Sequence, residues 1–111
     1  MNTFNINGNT YIAKPFDFNL LCDLEDMGVN MNTMATKTMS TARTYFALCC
    51  GGDKEFAGNE LQSHMINGGS FEGLISAMAK EMEESDFFQA MTNGQKSETS
   101  TVQKRTDNKK N

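Results

Sequence analysis

The chain has no tryptophan, one proline and one histidine among its 111 residues. Its three cysteines, Cys22, Cys49 and Cys50, have no metal-binding spacing, and an odd number argues against a secreted disulfide framework. One histidine is too few for a zinc site, which needs several nitrogen or sulfur ligands. We therefore expect no metal and no cofactor. The one form of nucleophilic catalysis that these residues would allow is a catalytic pair between His64 and one of the cysteines.

Long apolar runs are also missing from the sequence. No segment approaches the roughly 20 apolar residues that a membrane-spanning helix needs. The first residues lack the basic and then apolar pattern of a secretory signal peptide. We therefore expect a cytosolic protein with no membrane partner.

Basic residues are scarce over most of the chain. Residues 1–92 contain five basic and twelve acidic side chains, a balance of −7, whereas residues 93–111 contain five basic and two acidic, a balance of +3. An acidic body repels phosphate backbones, so we expect no nucleic-acid partner. Because Val102 is the one aliphatic residue after position 92, we predict a folded domain over 1–92 and a disordered polar and basic tail over 93–111.

The first structured segment is predicted to be a β-hairpin over residues 3–13, "TFNINGNTYIA". The Asn-Gly dipeptide at 7–8 suits a type I′ turn, in which both central residues need positive φ. A two-residue turn would pair Phe4 with Tyr11 and place both, together with Ile6, on one face. That face must cover other parts of the protein, because an isolated hairpin is only marginally stable in water.

The densest cluster of carboxylates lies in residues 16–32, "FDFNLLCDLEDMGVNMN". A calcium loop beginning at Asp23 would have methionine at its fifth and twelfth positions, where oxygen ligands are required. A capped helix explains the segment better: Asp17 is a suitable N-cap and Gly28 a suitable C-terminal stop. The acids then lie on a solvated face rather than forming a catalytic pair. The apolar side, expected to pack on the hairpin, is Leu20, Leu21, Leu24 and Met27.

Three further helices are predicted, over about 39–50, about 56–67 and from Ser70 onward, which gives a mainly α protein with an N-terminal β-hairpin (α+β) and four short helices. The last helix has the clearest apolar stripe, but Phe87, Phe88 and Met91 lie off it. Either Ser85 caps a new helical turn after a bend, or one long helix carries a second apolar patch. In the second case these three residues are candidate partner-binding residues.

The order of these segments resembles the tail assembly chaperones of long-tailed phages and prophages. The resemblance covers about residues 4–90 and rests on "INGNTY", "FDFNLLCDLEDMGV", "ARTYFALCCGG", "NELQSHMINGG" and "FEGLISAMAKEMEESDFF" in this order. The methionine- and threonine-rich segment at 30–40 and the weak third helix depart from the family pattern.

The resemblance implies a non-enzymatic protein that keeps the tape measure protein soluble while tail tube protein polymerises around it. Such a protein works in the host cytoplasm and is absent from the mature virion, and its self-association is left open. The family often makes a longer product by programmed frameshifting, and the terminal Lys-Lys-Asn is compatible with a slippery codon run. The alternatives are another small tail structural or adaptor protein, such as a tail completion factor, and an enzyme or host regulator.

Overall fold

A computed structural model describes residues 1–92 as one β-hairpin and a set of short helices, which confirms the α+β class. Strands β1 and β2 are followed by helices α1 to α5; α5 covers residues 86–92. The other elements are β1 Thr3–Ile6, β2 Asn9–Ile12, α1 Phe18–Asp26, α2 Thr38–Cys49, α3 Lys54–Ile66 and α4 Glu72–Glu84. The four predicted helices correspond to α1 to α4, and α5 is a short additional helix. The predicted disorder of the tail lies outside the described residues.

The hairpin has the predicted register and turn. Phe4 pairs with Tyr11 and Ile6 with Asn9, and the turn residues have φ of 54° and 80°, as a type I′ turn requires. The turn is also fixed to α3: the side chain of Asn7 donates to the backbone oxygen of Glu60 at 3.1 Å. The hairpin is thus anchored at its tip as well as along its apolar face.

Helix α1 has the predicted stop and start signals. A carboxylate oxygen of Asp17 accepts a hydrogen bond from the amide of Leu20 at 2.8 Å. Gly28 has a φ of 96°, and the next amide, that of Val29, donates to the carbonyl of Leu24 at 2.8 Å. This is the Schellman arrangement, which pairs carbonyl groups that would otherwise end the helix unsatisfied. The exposed acids of this helix are Asp23, Glu25 and Asp26.

The packing partner expected for α1 was wrong. Strand β1 lies mainly against α3 and α4, and α1 packs on α2. The ring of Phe16, between the hairpin and α1, stacks on Tyr45 of α2 with centroids 5.3 Å apart. The Tyr45 hydroxyl donates to the carbonyl of Lys14 at 2.6 Å. The larger core side chains are Phe4, Ile6, Phe16, Leu20, Leu24, Tyr45, Phe46, Leu61, Leu74 and Met78.

Ser85 separates α4 from α5, so the first of the two alternatives for this region is correct. Its hydroxyl accepts from the amide of Phe88 at 3.0 Å and donates to the carbonyl of Phe16. Its backbone is extended, with a ψ of 111°, which ends α4. A serine that caps the next helix and bonds to a distant carbonyl fixes the bend at this point.

Candidate partner-binding surface

An open apolar groove of about 360 Å³ lies between α4, the start of α2 and the loop that joins α1 to α2. We call it the methionine groove, because four of the nine methionines of the chain line it, one of which is buried. Methionine has a flexible and polarisable side chain, which suits surfaces that must fit varied apolar partners. The groove is lined by Met31, Met34, Ala35, Thr38, Thr41, Ile75, Met78, Ala79, Met82 and Phe88.

Helix α4 supplies one wall of the groove by dividing its apolar residues between two directions. Leu74 and Ala77 are buried in the core, whereas Ile75 is 37% exposed and Ala79 is exposed. Met82, one turn after Met78, is half-buried. The apolar residues of α4 therefore have two roles. Some are buried in the core, and the others line a groove that no other part of residues 1–92 fills.

The loop at 30–37 supplies the opposite wall. The side-chain oxygen of Asn30 accepts from the amides of Asn32 and Thr33 at 2.9 and 3.1 Å, and the carbonyl of Asn30 accepts from the amide of Met34 at 3.0 Å. These bonds form consecutive turns of the kind that asparagine favours. They hold Met31 and Met34 half-buried at the groove.

A second, smaller cavity of about 160 Å³ lies between α1 and α5. It shares Met31 and Met34 with the methionine groove, so these two side chains separate the two spaces. Phe18 and Phe87 stand at its other side with ring centroids 5.8 Å apart, in an edge-to-face arrangement. Phe18 is 63% exposed, so this aromatic pair is open to solvent.

A third apolar depression, of about 460 Å³, lies between α2 and α3. Its most exposed large apolar residues are Met39, at 72%, and Ile66, at 74%. Arg43 and Gln62 also line it, so it is more polar than the methionine groove. Phe71, one turn before Ile75, connects this depression to the stripe of α4.

The structure divides the three candidate binding residues between two places. Phe88 is half-buried, packs edge-to-face on Phe16 at a centroid distance of 5.7 Å, and lines the methionine groove. Phe87 and Met91 line the cavity beside α1 instead. The three residues therefore do not form one patch, and Phe88 contributes to both the core and a surface groove.

His64, the histidine considered for catalysis, has a backbone partner at each ring nitrogen. His64 accepts at Nδ1 from the amide of Asn7 at 3.0 Å, and its Nε2 lies 3.1 Å from the carbonyl of Ser70. An amide can only donate and a carbonyl only accept, so these two contacts match the tautomer that carries its proton on Nε2. Both ring nitrogens are thus used by backbone groups, and the structure brings no cysteine to them.

Burial also affects the half-buried thiols of Cys49 and Cys50 and the neighbouring Tyr45. Burial raises the pKa of the Cys49 and Cys50 thiols above the ordinary value of 9.0. Burial, and then the nearby Cys49, raises the pKa of Tyr45 well above its usual range. A protonated thiol is a poor nucleophile and a poor metal ligand. Over residues 1–92, no group of three or more histidine, cysteine, aspartate or glutamate side chains could hold a metal ion.

Comparison with protein-family models, with curated proteins and with solved structures finds no match to this chain. Within the described part, no helix is both long and apolar enough to span a membrane.

The sequence interpretation missed the methionine groove. It identified one clear apolar stripe on the last helix and noted the segment at 30–40 only as a departure from the family pattern. The available signal was the methionine content: Met31 and Met34 are three positions apart in a polar loop. Two methionines in a polar loop either pack on the core or form part of an apolar surface. In the structure they line the groove opposite α4.

Proposed function

We propose that this protein is a tail assembly chaperone of a long-tailed phage or prophage, which binds the tape measure protein and keeps it soluble. The observation that carries the proposal is the methionine groove, an open apolar surface on an acidic body. A long helical client with an apolar face aggregates unless that face is covered. Helix-in-groove binding covers such a face with side chains at helical spacing.

The acidic charge of the body supports the same role. Residues 1–92 carry a balance of −7, and protein molecules with a large net charge repel one another and remain dispersed. Many copies bound along one client would each add the net charge of the whole chain, −4. The protein then acts by binding alone, without catalysis, in the host cytoplasm, together with tape measure and tail tube proteins.

Co-expression with the tape measure protein of the same phage tests the proposal. We expect the tape measure protein to be mostly insoluble when expressed alone, and to become soluble and co-purify when this chain is present. An insoluble tape measure protein in both cases would reject the proposal. Mass spectrometry of mature particles adds a second test, because a chaperone leaves the particle and a tail adaptor or completion protein stays in it.

A further inference from the structure

One edge of the methionine groove is acidic. Helix α4 has four glutamates, and two of them are used within the fold: Glu81 and Glu84 accept hydrogen bonds from the side chain of Asn2 at 2.8 and 3.1 Å. The other two, Glu72 and Glu83, are exposed. Within residues 1–92 these two carboxylates have no side-chain hydrogen-bond partner, so they can meet a partner molecule.

The positions of these two glutamates place both of them beside the groove. At 100° per residue, Ala79 lies about 40° from Ile75 around the helix axis, Glu72 about 60° and Glu83 about 80°, all on the same side. The two acids are about 16 Å apart along the axis, at a rise of about 1.5 Å per residue. They mark the two ends of one solvent-facing edge. Lys80 lies about 140° from Ile75, away from the groove.

We propose, building on the function above, that the methionine groove binds an amphipathic helix of the tape measure protein with two basic side chains on one edge, three turns apart. The apolar face of that helix would lie against Ile75, Met78 and Met82, which follow one another at helical spacing. Its two basic side chains would meet Glu72 and Glu83. Complementary charges at the edge of an apolar contact select the partner and its register.

The charges of this chain argue against a second copy as the occupant. Helix α2 has one basic residue, Arg43, α3 has Lys54 and α4 has Lys80, whereas α1 and α5 have none. No helix within residues 1–92 can therefore present two basic side chains on one edge. The tail at 93–111 is basic, but with a single aliphatic residue it has no apolar stripe to fill the groove.

Two synthetic peptides test this inference with the full-length protein. Each is a helical peptide of about 18 residues, long enough to be stapled into a stable helix, with leucines at i, i+3, i+7 and i+10. One has lysines at two edge positions separated by three turns, and the other has glutamates there. We expect the lysine peptide to bind about three- to ten-fold more tightly, as two exposed ion pairs allow. The preference should shrink at high salt, because exposed charges are screened.

Matched charge variants locate the effect. The double variant Glu72→Gln, Glu83→Gln should lose the preference for the lysine peptide. The control, Asp23→Asn with Asp26→Asn, removes the same charge from the exposed side of α1 and should keep it. Equal binding of the two peptides to the wild-type protein, or an equal loss in both double variants, would overturn the inference.

The outcomes separate this inference from the proposed function. If the tape measure protein co-purifies equally with the wild-type protein and the Glu72→Gln, Glu83→Gln variant, the chaperone function stands and the charged-edge inference is wrong. If the peptides show the predicted preference but the tape measure protein stays insoluble, the groove does bind helices with a basic edge, and the proposal that its partner is the tape measure protein is wrong. If light scattering shows a dimer that this double variant dissociates, a second copy occupies the groove and the inference fails.

Discussion

The two adjacent phenylalanines of α5 should differ strongly in their contribution to stability. Phe88 packs edge-to-face on the fully buried Phe16, whereas Phe87 is 36% exposed and its ring partner, Phe18, is itself 63% exposed. Truncating a fully buried phenylalanine to alanine costs about 3–5 kcal/mol. Because Phe88 is half-buried, we expect Phe88→Ala to cost about 2–3 kcal/mol. For Phe87→Ala we expect about 1 kcal/mol, the value of one partly exposed aromatic pair.

Urea unfolding of the full-length variants, followed by circular dichroism at 222 nm, measures these costs. A domain of this size has a free energy of unfolding of about 5–10 kcal/mol, so both variants should still fold. The dependence of that free energy on urea should stay unchanged, since the two variants unfold from the same fold. Equal costs for the two variants, or a loss below about 0.5 kcal/mol for Phe88→Ala, would refute the packing described for α5.

Three further predictions concern the core and the end of α1. Tyr45→Phe should cost about 1–2 kcal/mol in thermal or urea unfolding, because it removes the hydroxyl that donates to the part-buried carbonyl of Lys14; an unchanged melting temperature would contradict that bond. Gly28→Ala should cost about 1–2 kcal/mol, since φ at this position is 96°; a gain in stability would show that the left-handed cap is absent. The raised pKa values of Cys49 and Tyr45 mean that the folded state retains protons that the unfolded state loses. Stability should therefore fall as the pH rises above about 9 and further above 10, measured by urea unfolding at each pH, and a constant free energy of unfolding would contradict it.

Local signals in the sequence predicted the hairpin and its register. The Asn-Gly pair favours a two-residue turn, and a turn of that length at this position allows only one register of residue pairs between the two strands. The same holds for the caps of α1, where Asp17 and Gly28 satisfy backbone groups that belong to their own helix. The partner of α1 was not predictable in this way. Packing of one element on another depends on contacts between distant residues, and no local pattern specifies whether α1 packs on α2 or on the hairpin.

The candidate surface was predictable only in part. The off-stripe position of Phe87, Phe88 and Met91 was compatible with a new helical turn after a bend and with a second patch on one long helix, and it did not show which of the three would face the core. That choice depends on Ser85, whose hydroxyl binds a carbonyl far away in sequence. The groove itself needs a loop and a helix that are separated by some forty positions in the sequence, and periodicity within one helix cannot bring them together.

The most direct test of the account compares two lysine substitutions in the co-expression experiment. Ala79→Lys places a charge inside the methionine groove at an exposed position of α4, and Asn59→Lys places the same charge on an exposed position of α3 that lines none of the three apolar spaces described above. Both variants should have wild-type circular dichroism spectra. We predict that the soluble fraction of the tape measure protein falls to the level without chaperone for Ala79→Lys and stays at the wild-type level for Asn59→Lys. Full solubility with Ala79→Lys would contradict the account.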